Sequence, residues 1–398
     1  MLGLAPALTA AIARAGHTQP TPIQGRAIPP ALEGRDVLGL AQTGTGKTLA
    51  FGLPLVQHLL AAPGKPEPKT AKALVLGPTR ELVNQIAEHL RSLTKGTKVH
   101  VATVVGGQSI GKQIAHLARG TDILVATPGR LIDLMDRGAV NLGTVRYLVL
   151  DEADQMLDLG FIHALRKIAP RLGTPRQTML FSATMPKQME ELSQAYLTDP
   201  VRVQVAPPGK AADKVTQSVQ FLDKARKPER LREILSRDPE ALTLVFARTK
   251  HGAEKLMKGL VEDGFNAASI HGNKSQGQRD RAIKAFRDGE ITVLVATDVA
   301  ARGIDIPGVA YVINYELPDV PDNYVHRIGR TARAGREGEA IALCSPEEAD
   351  LLQQIEKLMK VEIPVAGGTR HGAAPGLAAN ANAGPAAKAR RTRRRRTA

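Results

Sequence analysis

The 398-residue chain has no tryptophan, and aromatic residues make up only 3% of it. Stacking platforms for single-stranded nucleic acid are therefore scarce, and any such binding must run mainly along the sugar-phosphate backbone. The single cysteine, Cys344, excludes an intramolecular disulfide and fits a reducing compartment such as the cytoplasm. No apolar run reaches the ~18 residues of a membrane span. No basic stretch precedes a continuous apolar segment at the N-terminus, so no secretion signal is expected.

Positive charge is in excess, and it is unevenly distributed. The net charge is +15, of which 8 comes from residues 366–398, a segment without any acidic residue. This excess predicts a polyanionic partner. From Ala366 onward the composition narrows to Ala, Gly, Asn and Arg, which cannot bury enough apolar surface to offset the entropy of ordering. We therefore predict a disordered basic tail over 366–398.

Short apolar runs alternate with helical patterns, which predicts an α/β protein with parallel sheets. The pattern occurs twice, on either side of the Pro- and Gly-rich segment 206–214, which we interpret as a linker. The predicted domains are 1–205 and 215–365. The predicted strands cover 36–40, 73–77, 99–105, 123–126, 147–150 and 177–181 in the first half, and 216–221, 242–246, 267–270, 292–296, 310–314 and 338–344 in the second.

A phosphate-binding loop follows the first predicted strand. The segment Ala41-Gln-Thr-Gly-Thr-Gly-Lys-Thr48 has the P-loop spacing, with Ala41 where the usual pattern has its first Gly. Its glycines allow backbone N–H groups to surround phosphate oxygens, Lys47 can reach the β- and γ-phosphates, and Thr48 can ligate Mg²⁺. This loop predicts an ATP site in the first half. The second half has no such loop and should bind no nucleotide of its own.

Asp151 and Glu152 follow a short apolar strand, at the edge where open α/β sheets bind ligands. In isolation such acids are more often helix N-caps. Combined with the phosphate loop, one carboxylate can hold Mg²⁺ and the next can orient or deprotonate the attacking water. We assign Asp151 to the metal and Glu152 to the base.

On these residues the chain resembles a known family, the DEAD-box RNA helicases of superfamily 2, over roughly residues 1–365. Among bacterial forms it looks most similar to the RhlE type. The resemblance rests on an ordered series of motifs, which are Pro20-Thr-Pro-Ile-Gln24, the P-loop, Pro78-Thr-Arg-Glu-Leu82, Gly106-Gly107, Thr127-Pro-Gly-Arg130, Asp151-Glu-Ala-Asp154, Ser182-Ala-Thr184, Val245-Phe-Ala-Arg-Thr249, Gln276 to Arg279, Val299 to Asp305 and Tyr324 to Arg333. It implies two tandem RecA-like domains that close on ATP and RNA. It also implies an RNA-dependent ATPase that locally unwinds short RNA duplexes or remodels RNA-protein complexes.

For the ATP site, the resemblance implies that Gln24 selects adenine, since a side-chain amide matches the N6/N7 edge. Seven residues earlier the family has an aromatic residue, where this chain has His17, and an upstream Phe is also absent. We therefore expect weaker adenine binding. The expected ATP-binding residues are His17, Gln24, Thr43, Gly44, Thr45, Gly46, Lys47, Thr48, Gly303 and Asp305, with Thr48 and Asp151 on Mg²⁺.

Arginines of the second half complete the expected catalytic set. Arg327, Arg330 and Arg333 are three residues apart and lie on one face if the segment is helical, a pattern that alone would indicate a solvated surface. By resemblance, Arg330 and Arg333 are fingers that stabilise charge on the γ-phosphate, so the catalytic set is Lys47, Asp151, Glu152, Arg330 and Arg333. Ala332 replaces a Gly that is common in the family, and we expect activity to survive.

The remaining motifs are expected to hold RNA through backbone contacts or to couple RNA to ATP. The expected RNA-binding residues are Thr79, Arg80, Gly107, Thr127, Arg130, Arg248, Gly272 and Thr297. The expected coupling residues are Ser182, Thr184, His326 and Arg327. Such binding should depend strongly on salt and weakly on sequence, and should distinguish RNA from DNA through 2′-OH groups.

Two alternative functions remain open: an RNA-binding clamp or ribonucleoprotein assembly factor without turnover, and a DNA translocase. The Arg393–Arg396 cluster is interpreted as an RNA tether, with a nuclear address as the alternative. Expected partners are RNA and components of the ribosome or of RNA-degradation machinery, with no membrane.

Overall fold

The computed structural model describes residues 3–42, 44–62, 64–205, 215–301, 306, 308–332 and 338–370. Several sequence-based predictions fall outside these ranges. They are the ATP-site residues Thr43, Gly303 and Asp305, the second finger Arg333, the linker 206–214 and the tail from residue 371.

The first half forms one sheet of seven strands in the order β3-β4-β2-β5-β6-β1-β7, and every neighbouring pair is parallel. The strands are β1 Val37–Leu40, β2 Ala71–Leu76, β3 Val101–Val104, β4 Thr121–Ala126, β5 Tyr147–Leu150, β6 Gln177–Ser182 and β7 Val201–Gln204. Alternate residues of each strand face opposite sides of the sheet. Val37 and Leu38 accordingly join different apolar clusters, so both faces of this sheet are buried.

The second half forms another seven-stranded parallel sheet, in the order β10-β11-β9-β12-β13-β8-β14. Its strands are β8 Val215–Phe221, β9 Thr243–Phe246, β10 Ala267–Ile270, β11 Val293–Ala296, β12 Tyr311–Asn314, β13 Gly338–Cys344 and β14 Val365–Gly367. The order is that of the first sheet with each strand number raised by seven. Two copies of one RecA-like architecture therefore follow each other along the chain, which confirms the expected fold class for the described residues.

Helices connect successive strands, as parallel pairing requires. They are α1 Pro6–Arg14, α2 Pro22–Leu32, α3 Lys47–Ala61, α4 Arg80–Leu93, α5 Ile110–Leu117, α6 Pro128–Asp136, α7 Ala153–Asp158, α8 Ile162–Ile168, α9 Lys187–Tyr196, α10 Lys227–Leu235, α11 Lys250–Glu262, α12 Gln276–Arg287, α13 Asp298–Ala301, α14 Pro321–Ile328 and α15 Ala349–Met359. In the described part of the chain, none of these helices has both the length and the apolar character that crossing a bilayer requires.

All twelve strands expected from the sequence are present, and two more occur that the sequence did not indicate. The edge strand β7 is short and half exposed, so it lacks the continuous apolar run of a central strand. The edge strand β14 pairs with β8 through Val365 and Gly367. Regular structure therefore continues to Gly367, the second residue of the predicted tail.

Arg370 explains why this boundary lies further along the chain. Its guanidinium forms ion pairs with Glu356, at 2.8 Å, and with Glu362, at 3.1 Å, and lies 5.7 Å from the ring centroid of Phe221. These contacts fasten the end of β14 to α15 and β8. Composition could not reveal them, because the partners are brought together only by the fold.

Candidate active site

The phosphate loop joins β1 to α3, whose first residue is Lys47. Gly46 adopts a left-handed φ of 90°, and a Cβ at this position would lie 2.5 Å from Nε2 of Gln24. Glycine is thus required both by the backbone and by the close approach of the Gln24 amide. The loop and the N-terminus of α3 line a cavity of about 290 Å³. Backbone N–H groups and the helix dipole favour an anion in such a position.

The ammonium group of Lys47 is buried inside this cavity. Its Nζ atom lies 3.7 Å from Oδ1 of Asp151, and the Lys47 residue is 6% exposed. Among the residues that the structure describes, no group accepts a hydrogen bond from this nitrogen. A buried ammonium without hydrogen bonds is costly. Phosphate oxygens in the cavity would supply the missing acceptors.

Asp151 and Glu152 line the same cavity and are each 2% exposed. Burial raises the pKa of Asp151 to about 6, with the neighbouring Glu152 acting in the same direction and Lys47 opposing it. Glu152 has a φ of 52°, a left-handed conformation that costs energy in a residue other than glycine. Strain at a buried acid facing a phosphate cavity is typical of a functional position.

The fourth residue of the tetrapeptide, Asp154, contacts the predicted coupling motif directly. Its Oδ2 atom accepts hydrogen bonds from the Ala183 and Thr184 backbone N–H groups and from Oγ1 of Thr184, at 3.0, 2.9 and 3.1 Å. Ser182 donates from Oγ to the Thr184 carbonyl at 2.7 Å. The predicted coupling segment is thus attached to the helix that follows the expected catalytic acids. From the sequence, Asp154 was recognised as part of its motif but had no assigned role.

Gln24 joins the nucleobase side of the cavity to the phosphate loop. Its Oε1 accepts from the Thr21 N–H at 2.9 Å, and its Nε2 donates to the Gly46 carbonyl at 3.1 Å. One lone pair and one N–H remain, enough for the two-point contact with adenine that the sequence predicted. His17 is exposed and also lines the cavity.

The wall near His17 is open. A second cavity of about 440 Å³ shares four lining residues with the first, and aliphatic side chains form most of the rest of its lining. The shared residues are His17, Gln19, Gln24 and Leu49. The expectation of weaker adenine binding stays a prediction. The helix α4 adds Leu82, Gln85 and His89 to the first cavity, a stripe at i, i+3 and i+7. Gln85 and His89 were not expected at the site, because no motif covers them.

Arg330 reaches the cavity from the second domain. It is 4% exposed and lines the cavity together with Lys47, Asp151 and Glu152. The helix α14 ends at Ile328, so the condition for a shared helical face, a helix that includes both Arg327 and Arg330, is not met. Arg330 lies instead in the turn beyond the helix, and its N–H donates to the Arg327 carbonyl at 3.0 Å. The turn directs the two side chains to different surroundings.

Arg327 is buried within the second domain and is 1% exposed. Its guanidinium donates to both carboxylate oxygens of Asp298, at 2.5 and 2.8 Å, and to Oδ1 of Asn314 at 3.0 Å. It also donates to the Glu316 carbonyl at 2.6 Å and lies 4.8 Å from the ring centroid of Phe246. The positive charge is therefore surrounded by the carboxylate from α13, the amide oxygen at the end of β12 and the aromatic ring from β9. His326 lines a small crevice beside Arg327 and Arg330.

Ala332 adopts a left-handed φ of 55°. A glycine avoids the cost of this conformation, about 1 kcal/mol, so the backbone explains why glycine is common here. The difference between Ala and Gly at this position is therefore one of local strain.

The expected RNA-binding residues of the first domain follow the ends of β2, β3 and β4. Thr79 accepts from the Leu82 N–H at 3.3 Å and so caps α4. Gly107 has a φ of 74°, and a Cβ there would lie 1.9 Å from Nη1 of Arg80. Thr127 is buried just before α6, and Arg130 donates to the Gln108 carbonyl at 3.1 Å. These five residues lie at the same edge of the sheet as the ATP cavity, because all its strands are parallel.

The corresponding residues of the second domain follow β9, β10 and β11. Gly272 is exposed, whereas Thr297 is buried at the start of α13. Arg248 is one-third exposed, and its guanidinium contacts Asp319 at 3.3 Å, Glu348 at 3.0 Å and the Leu317 carbonyl at 3.1 Å. Much of the hydrogen-bonding capacity of Arg248 is thus used within its own domain, which the sequence did not indicate.

Two polar side chains of α12 bridge the domains. Gln276 accepts from Nη1 of Arg80 and donates to Oε1 of Glu81, both at 3.0 Å. Arg279 forms an ion pair with the same Glu81 oxygen at 3.0 Å. Arg80, an expected RNA-binding residue, is therefore held from the opposite domain. The sequence placed Gln276 to Arg279 among coupling motifs but named no partner for them.

Comparisons with known proteins show the family to which the chain belongs. The DEAD/DEAH box helicase model matches residues 21–192, and the helicase conserved C-terminal domain model matches residues 226–335. The chain is 45% identical over 368 residues to the ATP-dependent RNA helicase CshA of Limosilactobacillus reuteri, covering 91% of this chain and 72% of that protein. It is 42% identical over 353 residues to CshA of Bacillus licheniformis, covering 89% and 72%.

Solved structures resemble the chain over both domains. S. cerevisiae Dbp5 bound to RNA and ADP BeF3 superposes with a TM-score of 0.82 and 32% identity, covering 92% of this chain and 94% of that one. Mss116p bound to single-stranded RNA and AMP-PNP gives a TM-score of 0.83 and 30% identity, covering 92% and 78%. Two RecA-like domains that share one nucleotide cavity define a superfamily-2 helicase core. The chain belongs to the DEAD-box family of ATP-dependent RNA helicases.

The raised pKa of Asp151 leads to a prediction about stability. Ionised Asp151 is disfavoured in the folded chain, so its penalty is absent at low pH and grows as pH rises from 3.8 through about 6. Asp151→Asn removes the penalty. We expect this variant to be more stable than the wild type by about 3 kcal/mol at pH 8, and the difference to shrink as pH falls below 6. Urea unfolding of both proteins at several pH values measures this difference in the free energy of unfolding.

Asp136→Asn, at an exposed position, is the matched control and should show no such pH-dependent difference. A stability difference between Asp151→Asn and the wild type that stays constant from pH 5 to pH 8 would contradict the assignment.

Proposed function

We propose that this helicase hydrolyses ATP with Glu152 as the base and with Arg330 as the residue that stabilises charge on the γ-phosphate. One observation carries this proposal: Arg330 of the second domain lines the cavity that also contains Lys47, Asp151 and Glu152. The Lys47 ammonium binds the β- and γ-phosphates, and Glu152 orients the attacking water and takes its proton. Domain closure brings Arg330 into this set, so hydrolysis depends on the ligands that favour closure. The second finger, Arg333, is assigned by resemblance only.

A magnesium ion fits the residues at this site. No group of three or more potential metal-ligating side chains occurs in the described ranges. Mg²⁺ bound with a nucleotide typically takes one or two protein ligands, together with phosphates and water. Asp151 and Thr48 both line the cavity and would hold it. When bound, the ion neutralises phosphate charge as a Lewis acid.

The loops that follow β2, β3 and β4, together with those that follow β9, β10 and β11, are the proposed RNA surface. Their hydroxyl, guanidinium and glycine backbone groups suit phosphates and 2′-OH groups rather than base edges. The scarcity of aromatic residues supports the same mode. We expect RNA binding with strong salt dependence and little sequence preference. Ribosomal or RNA-degradation complexes in the cytoplasm are the proposed settings, and the RhlE type is the proposed subgroup.

The substitution Glu152→Gln tests the mechanism. It removes the base but keeps the shape of the side chain, so RNA-stimulated phosphate release should fall by about 10² to 10⁴-fold. RNA binding in the presence of ATP should be retained, since closure does not require proton transfer. Phosphate release and RNA affinity are measured together.

Glu88→Gln, at an exposed position of α4, is the control and should resemble the wild type. If the wild type itself releases no phosphate when RNA is added, the chain is an RNA clamp without turnover. If double-stranded DNA competes as well as RNA, the alternative of a DNA translocase is favoured.

The basic tail is proposed to act as an RNA tether. Deleting residues 371–398 removes seven of the eight basic residues beyond position 365 and leaves Arg370 in place. We expect RNA affinity at low salt to fall and the slope of log K against log salt to lessen by roughly 0.7 for each phosphate that the chain no longer neutralises. Titrations of labelled single-stranded RNA at several salt concentrations measure both.

Deleting residues 372–387, which carry no charge, is the matched control. It should leave the salt slope unchanged. If both deletions leave RNA affinity at low salt unchanged, the tether is excluded.

A further inference from the structure

The turn between β12 and α14 links the proposed RNA surface to the arginine that enters the ATP cavity. We propose that Glu316, in this turn, is a positioning residue through which RNA binding near Arg248 sets the position of Arg330. The proposal rests on the proposed roles of Arg248 and Arg330. It is motivated by the bonds that the main chain and side chain of Glu316 form with both the loop after β9 and the buried Arg327.

Three hydrogen bonds of Glu316 form this link, and two of them reach the end of β9 and the loop after it. Its carboxylate Oε2 accepts from the Arg248 backbone N–H at 2.8 Å. Its own N–H donates to the Phe246 carbonyl at 3.2 Å. Its carbonyl accepts from Nη1 of Arg327 at 2.6 Å. One residue therefore joins the end of β9 to the arginine segment.

Further hydrogen bonds, formed by Arg248, Leu317 and Glu348, also hold the turn against the loop after β9. The Arg248 guanidinium donates to the Leu317 carbonyl through Nε and Nη2, at 3.3 and 3.1 Å. Glu348 accepts from both Arg248 Nη2 and the Leu317 N–H, each at 3.0 Å. Arg248 and the turn 315–317 are thus held against each other by both backbone and side-chain bonds. If a bound RNA strand displaces this loop, the turn should be displaced with it.

The carboxylate of Glu316 is well placed electrostatically. Arg248 lies two residues before α11, which begins at Lys250, and Thr249 caps this helix through its side chain. The N-terminus of a helix carries partial positive charge, and its first N–H groups lack partners within the helix. A carboxylate bonded there is favoured over a neutral group. An amide oxygen in the same place would still accept the bond, though less strongly.

The contact with Arg327 leads to the ATP cavity. Arg327 is bonded to Asp298, Asn314 and the Glu316 carbonyl, so its position depends on the turn. The Arg330 N–H in turn donates to the Arg327 carbonyl at 3.0 Å. A shift of the turn therefore moves the segment that bears Arg330. This route contains no residue of the first domain, so it can act before the cleft closes.

The test compares Glu316→Ala with Glu316→Gln in steady-state ATPase assays, with and without RNA. Alanine removes the acceptor, whereas glutamine keeps one. A hydrogen bond to a charged group is worth about tenfold or more in an equilibrium or a rate. We expect Glu316→Ala to lower the RNA-stimulated kcat about tenfold, with the RNA-free rate and the ATP-free RNA affinity nearly unchanged. Glu316→Gln should recover most of the stimulated rate.

Asp319→Ala is the matched control. Asp319 also contacts the Arg248 guanidinium, at 3.3 Å, but its side chain is 67% exposed. It forms none of the hydrogen bonds through which Glu316 joins Phe246 and Arg248 to Arg327. This variant should keep the full RNA stimulation, and thermal unfolding should show all three variants folded.

Three outcomes would overturn the proposal. The first is normal RNA stimulation in Glu316→Ala. The second is an equal decrease in the RNA-free and stimulated rates, which indicates general structural support. The third is a Glu316→Gln variant as impaired as alanine. A wild type without RNA stimulation would instead refute the proposed function itself.

Discussion

Parallel pairing of every strand in both sheets is the constraint on which the site depends. In a parallel sheet all carboxyl ends lie at one edge, and the connecting loops meet there. Lys47 follows β1, Arg80 follows β2, Asp151 follows β5 and Ser182 ends β6. Residues more than a hundred positions apart therefore share one edge. The second sheet repeats this order, and from the second domain Arg330, in the turn beyond α14, adds to the lining of the cavity.

Two buried cations near this edge, Arg327 and Lys47, differ in how far neighbouring groups compensate their charge. The Arg327 guanidinium is fully buried, yet carboxylate, amide and carbonyl oxygens of its own domain surround it and compensate its charge. Lys47 is buried almost as deeply, and in the described part of the chain its nitrogen has an ion-pair partner at 3.7 Å but no hydrogen bond. A buried ammonium that lacks hydrogen-bond acceptors destabilises the fold. This cost becomes modest when a bound ligand supplies the missing acceptors.

Much of the fold and half of the site could be predicted from local sequence patterns. Continuous apolar runs indicated twelve buried strands, and the Gly-rich loop before Lys47 indicated a phosphate site. The edge strands β7 and β14 were missed, because a half-exposed strand lacks a distinctive pattern and β14 depends on the distant partners of Arg370. The sequence left open whether Arg327 and Arg330 share a helical face, because spacing alone does not tell where a helix ends.

Contacts between distant segments had no signal in a single sequence. Asp154 contacts Thr184, Glu81 contacts Arg279, and Glu316 contacts both Arg248 and Arg327. Each of these residues could be recognised as polar and near a motif. Their pairing follows only from the meeting of strand ends at one edge, which local propensity does not encode.

The central claim is that the ATP site is completed across the cleft when RNA and ATP close it. Energy transfer between dyes tests this directly, with labels on cysteines placed at the exposed Arg119 and Lys258. The native Cys344 is buried and should remain unlabelled under native conditions. High transfer is predicted only when RNA and a non-hydrolysable ATP analogue are both present. Equal transfer with either ligand alone would contradict the account.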